Sequence, residues 1–198
     1  ASETPPVFVQ IAALAREPGE DASRECYRAM VTIEREIDCH VASFSANDAV
    51  YALADAAGGY EQTVALMNQE AARVGAYDTL TVDPSGLDEG AQRSSAYDLA
   101  LIGRDAMRLS AFRTTIVKRD AVFPGGKDKA GKTWPAFHIA NINELLAHYP
   151  GTIGIKPGRT DRAQHTFIGA ATRGGRTLLV SEMGSITGSW KPTAALLD

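Results

Sequence analysis

The sequence predicts an α+β fold: an antiparallel sheet flanked by helices, with a helical region over roughly 32–116. Helical periodicity fills the middle of the chain. Alternating apolar and polar residues mark two strands near its end, at 165–173 and 176–183. Helices and strands are segregated rather than alternating, which argues against a parallel βαβ arrangement.

The elements follow in order. Residues 7–15 read as an apolar helix or buried segment, and 16–25, holding Pro18-Gly19, as a loop. A mixed, helical stretch over 32–44 leads into Ser45. The run 46–57 is a helix with Val50, Leu53 and Ala54 on one face, stopped by Gly58-Gly59. A second helix over 60–74 places Val64, Met67 and Ala71 together and ends at Gly75. Residues 79–92 give a short extended piece and then turns. Ser94 or Ser95 caps a helix over 95–108, and a shorter helix follows near 110–116. A strand near 117–123 leads to Gly125-Gly126 and a lysine-rich hairpin connection. Asn141–His148 reads as a short helix, and 152–156 as a strand entering Lys156. Gly174-Gly175 joins the last two strands in a two-residue hairpin turn.

Composition narrows the function classes. The chain has 198 residues, 44% hydrophobic and 22% charged, which suffices for a buried core. A net charge of −4 gives no reason to expect a nucleic-acid partner. Apolar runs fall well short of the roughly 20 residues that span a membrane. No basic stretch precedes an apolar one as in a signal peptide, so an exported protein would carry its signal upstream of Ala1 or have lost it. Cys26 and Cys39 could form a disulfide or stay as buried thiols. His138, His148 and His165 lack metal-ligand spacing, and no cofactor is expected.

Two short motifs stand out. Ser45-Ala46-Asn47 opens a helix, and Lys156-Pro157-Gly158 lies at the end of a strand that precedes a hairpin. Alone, the first is ordinary capping chemistry and the second an ordinary turn. Their surroundings are more specific. The runs SANDAVYALADAAGG, MNQEAARVGAYDTLTVDPSGLDEG, SSAYDLALIGRDAM, NINELLAHYPGTIGIKPGRTD and HTFIGAATRGGRTLLV together resemble the D-alanyl-D-alanine carboxypeptidases, low-molecular-mass penicillin-binding proteins of the S11 serine peptidase family. The likeness covers roughly 43–183 and is greatest to the actinobacterial branch.

The resemblance implies a penicillin-binding, transpeptidase-like domain over 1–198 that trims the peptidoglycan stem peptide outside the cytoplasm, with β-lactams as substrate mimics. It gives Ser45 a proton-relay role toward the leaving amine and Asn47 a grip on the substrate amide. Lys156 would supply positive charge near the substrate carboxylate, on a strand that pairs with the peptide alongside Gly158. Pro157 stands where the family has threonine, and Thr160 could substitute for that hydroxyl. The family's nucleophile lies in Ser-x-x-Lys, whose lysine activates the serine. No serine in this chain has a lysine three residues on. Ser2, ahead of an apolar run, is the nucleophile candidate, with Pro5 in the lysine's place, and the family's N-terminal strands are not recognisable before Ser45. A second function class is therefore a catalytically inactive or truncated member that binds cell-wall peptides. A β-lactamase is a third reading, without an identifiable deacylating carboxylate.

Overall fold

The computed structural model describes residues 45, 47–123, 126–127, 131–188 and 190–198. Readings that fall on 1–44, including Ser2, Pro5, Cys26 and Cys39, lie outside the described residues.

Four helices come first: α1 (Asn47–Ala56), α2 (Tyr60–Arg73), α3 (Ala96–Ala106) and α4 (Ser110–Ile116). Helix α1 buries Val50, Leu53 and Ala54, the face expected from their spacing. The α2 face is rotated from the expected one. Thr63, Met67, Glu70 and Ala71 are buried, while Val64 is half-buried. Glu70 accepts a charge-assisted pair of bonds from Arg73, which also bonds Asp105 of α3, so a carboxylate can occupy the inner stripe. Ser95 caps α3 by accepting from the Asp98 amide. Ser94 instead turns inward to the Thr79 hydroxyl.

The sheet is antiparallel, in the order β5–β6–β7: β5 (Thr152–Thr160), β6 (Gln164–Arg173) and β7 (Arg176–Ser185). Arg173 pairs with Arg176 across Gly174 and Gly175, whose φ values of 55° and 75° suit the expected two-residue turn. Strand β5 runs past its expected end at residue 156 and carries Pro157 and Gly158 within the ladder, opposite Phe167 and Thr166. Proline is tolerated there because β5 is an edge strand among the described residues. In chain order, two nested antiparallel pairs come between α4 and β5. Strand β1 (Asp120–Phe123) pairs with β4 (Phe137–Ala140), and β2 (Gly126–Lys127) pairs with β3 (Thr133–Trp134). The expected 141–148 helix contracts to α5 (Leu145–His148), because Asn141 and Asn143 side chains take up the amides of the preceding turn. A helix not foreseen from the sequence, α6 (Lys191–Leu197), packs on β6 and β7.

Both faces of the sheet are covered. Ile155, Ile168 and Ala170 join the core built by α1–α4, while Phe167 and Ala171 join Leu145, Tyr149, Ala194 and Leu197. Alternate residues of β6 thus serve opposite cores. Glycine permits close approach on each side. A Cβ on Gly103 would come within 3.3 Å of Ile155 and Ile168, and one on Gly169 within 2.3 Å of Thr193.

Candidate functional site

A cavity of about 200 Å³ opens between the N-terminus of α1, the edge of β5 and the loop around 85–87. Ser45 and Asn47 line it from the helix side, and Lys156, Gly158 and Thr160 from the strand side. Ser45, Asn47, Lys156 and Gly158 come from the two motifs, Thr160 is the residue expected to replace a missing hydroxyl, and a hydrogen bond joins Lys156 to Ser45, 111 positions apart.

Lys156 is the centre of the site. Its side chain is 2% exposed, and Nζ donates to Ser45 Oγ at 3.0 Å and to the Pro157 carbonyl at 2.7 Å. Burial pushes the ammonium down from 10.5 to about 7. A neutral and a charged Lys156 are therefore of similar free energy near neutral pH. The amine can take a proton from the serine hydroxyl or hold a charge for an anionic ligand.

Ser45 sits differently from the expected helix cap. Helix α1 begins at Asn47, and Ser45 has φ of 57°, a left-handed conformation uncommon for a residue with a Cβ. The hydroxyl thus meets Lys156 across the cavity. Asn47, at the first position of α1, lines the same space.

The strand side is shaped by two residue choices. A Cβ on Gly158 would lie 2.7 Å from Thr166 Oγ1 on β6, so a side chain there would push β5 from its partner. Thr160 Oγ1 lines the cavity while accepting from the Ala163 amide at 3.0 Å, which closes the β5–β6 turn. Pro157 removes one edge amide, and the exposed Arg159 lines the cavity beside it. Arg162 points to the loop side instead, its amide bonding Asp88 and its guanidinium the Gly90 carbonyl, both at 2.9 Å.

The third wall was not singled out from the sequence. Ser85, Gly86 and Leu87 line the cavity, and the segment Asp-Pro-Ser-Gly reads from sequence as a turn only. Its role depends on distant partners. Gln92, 1% exposed, accepts from the amides of Val82 and Asp83 and donates to the Leu87 carbonyl at 2.6 Å. Trp190, outside this site, stacks on His148 with ring centres 4.9 Å apart. Among the described residues no cluster of His, Cys, Asp and Glu could hold a metal ion, and no helix is long and apolar enough to cross a membrane.

Residues 7–187 match the family described as D-alanyl-D-alanine carboxypeptidase. Over 151 residues the chain is 42% identical to D-alanyl-D-alanine carboxypeptidase DacB2 of Mycobacterium tuberculosis, covering 75% of this chain and 50% of that protein. It is 35% identical over 145 residues to the D-alanyl-D-alanine carboxypeptidase of Streptomyces sp. strain K15, covering 70% and 50%. The chain thus spans about half the length of these curated relatives. Among solved structures, a D-alanyl-D-alanine carboxypeptidase from Mycobacterium tuberculosis superposes with a TM-score of 0.79 at 33% identity, covering 98% of this chain and 81% of the other. The Streptomyces K15 DD-transpeptidase also gives 0.79, at 23% identity, with 98% and 85% covered, a likeness of fold.

Proposed function

Because the chain belongs to the D-alanyl-D-alanine carboxypeptidase family of serine peptidases, we propose that it acts on peptidoglycan stem peptides ending in D-Ala-D-Ala, and that β-lactams occupy the same cavity. The observation that carries this reading is the Lys156–Ser45 hydrogen bond across a cavity also lined by Asn47, Gly158 and Thr160.

Among the described residues one edge of β5 carries no partner strand, and it offers backbone groups to an extended peptide. The peptide's terminal carboxylate comes to rest near Lys156 and Thr160, and Asn47 holds the amide. A serine hydroxyl attacks the D-Ala carbonyl. The C–N bond then breaks, with the proton passing through Ser45 and Lys156 to the departing D-Ala amine, and water hydrolyses the acyl-serine. The attacking hydroxyl is assigned to Ser2 from the sequence, with Pro5 where the activating lysine belongs. Extracytoplasmic placement follows from the substrate, and a single domain organised around this site belongs to the same proposal.

The test is D-Ala release from a diacylated peptide ending in D-Ala-D-Ala, together with intact-mass detection of a β-lactam adduct mapped by digestion. Release, with an adduct on Ser2, supports the reading. Binding of the peptide without release or adduct, from folded protein, would instead assign a cell-wall-peptide binder, as the absent Ser-x-x-Lys suggests.

An anionic ligand near Lys156 favours the charged amine. Affinity for the peptide should therefore be greatest below about pH 7, where Lys156 is already protonated, and should weaken above it. Calorimetry between pH 6 and 9 in buffers of different ionisation enthalpy, near the amine value of about 7, reads the proton uptake directly.

A further inference from the structure

One buried carboxylate ties the loop wall of the cavity to the helix wall. Asp83 is 6% exposed, and no ion pair to it occurs among the described residues. Four donors satisfy it instead. Its Oδ2 accepts from the Tyr51 hydroxyl at 3.0 Å and the Tyr60 hydroxyl at 3.1 Å. Its Oδ1 accepts from the Ser85 amide at 2.7 Å and from the Ser85 hydroxyl. Tyr51 and Tyr60 are stacked, with ring centres 6.5 Å apart. Burial and the Asp83 carboxylate push the Tyr60 phenol up to about 12, so it stays a donor.

The placement of these partners matters. Tyr51 lies one turn beyond Asn47 on α1, so the helix that presents Asn47 to the cavity also grips Asp83. Ser85, two residues on from Asp83, is itself cavity lining. The far end of the loop is tied to the other wall, because Arg162 beyond β5 bonds Asp88 and Gly90. The loop is therefore fixed at one end to the helix wall and at the other to the strand wall.

We infer that Asp83 is a positioning residue: by joining Tyr51 and Tyr60 to Ser85 it holds the Ser85–Gly86–Leu87 wall at its spacing from β5, and so sets the affinity of the cavity for its peptide. The ligand half of this inference rests on the function proposed above; the positioning half does not.

The test compares the wild-type chain with Asp83→Asn, which keeps the shape of the side chain but puts an amide donor against the donors around it. Hydrogen exchange over residues 82–92 of the unliganded protein reads the loop. Calorimetric binding of the diacylated D-Ala-D-Ala peptide, which needs no turnover, reads the cavity. Loss of a buried, charge-assisted anchor should speed exchange at the Ser85 and Leu87 amides roughly ten- to hundredfold and weaken peptide binding about tenfold. Exchange in β5 and β6 should be unchanged. Unaltered loop exchange, or faster exchange with unaltered affinity, would overturn the inference. If Asp83→Asn fails to fold, Tyr51→Phe, which keeps the carboxylate and removes the phenol donor that α1 supplies to it, carries the same comparison. Should the wild-type chain bind no peptide, the proposed function falls, and exchange alone decides whether Asp83 places the loop.

Discussion

The two long walls of the cavity are held by different chemistry. The β5 wall is a strand whose backbone is paired residue by residue with β6 from Gly154 to Thr160, beyond a register shift after Thr152. The facing wall, 82–92, is closed at its base by the Leu80–Arg93 bridge, which pairs the two ends of the loop with each other, and is held to its surroundings by side chains that include Asn68, Asp83 and Gln92. A ladder distributes its support over many bonds that no side chain supplies. A side-chain network concentrates support in a few atoms, each of which becomes costly to remove once buried. The strand wall should therefore tolerate most substitutions apart from those at its functional or space-limited positions, whereas the loop wall should fail wherever a buried anchor is lost.

The largest expected effect lies on the strand wall and is chemical rather than structural. Lys156→Met should lower D-Ala release or β-lactam acylation by roughly 10²–10⁴, the usual worth of a positioned proton-transfer group. The same change should stabilise the fold. Burial lowers the folded amine from 10.5 to about 7, so between those values the unfolded chain binds more protons. Wild-type stability should rise with pH across that window, and the burial penalty should be complete below pH 7. The melting temperature of Lys156→Met should thus exceed that of wild type most at pH 6 and converge with it above pH 10.5. A lower melting temperature at pH 6 would contradict the account of Lys156.

On the loop wall, Gln92→Ala should cost on the order of 2–4 kcal/mol in denaturant unfolding, because the amides of Val82 and Asp83 and the Leu87 carbonyl all lose their partner. Gly158→Ala on the strand wall should cost less, about 1–3 kcal/mol, since its Cβ meets the Thr166 hydroxyl in a ladder that stays paired. If the glycine change proved the more damaging to stability, the contrast between the walls would be reversed. The smallest effect belongs to Arg162→Ala. Its side chain makes one exposed bond to the Gly90 carbonyl, and its loss should shift unfolding by less than about 1 kcal/mol while raising exchange at 88–90.

Much of this contrast was legible in the sequence on one side only. The buried stripe of α1, the glycine turn of the last hairpin and the two motifs could be read because each is encoded within a few neighbouring residues. Ser45, Asn47, Lys156, Gly158 and Thr160 do meet in one cavity. The extension of β5 through Pro157-Gly158 escaped notice because local preference says turn, and tertiary pairing with Phe167 and Thr166 overrides it. The loop wall escaped because Asp83 gains its meaning from Tyr51 and Tyr60, 32 and 23 positions earlier. Strand β1 falls within the stretch expected near 117–123, whereas its partner β4, the short β2–β3 pair and helix α6 are products of packing rather than of strong local periodicity.

The 111-residue span of the Lys156–Ser45 contact also bears on how the molecule assembles. The β6–β7 hairpin closes over two residues, and β5 joins it through a short turn, so this sheet can form with little loop entropy to overcome. The lysine–serine contact requires nearly the whole described chain to have settled first. During refolding, peptide or β-lactam recognition should therefore return after the sheet's circular-dichroism signal. Ligand capture then becomes a quality control for the native state, and a misassembled chain with intact strands would still be unable to bind.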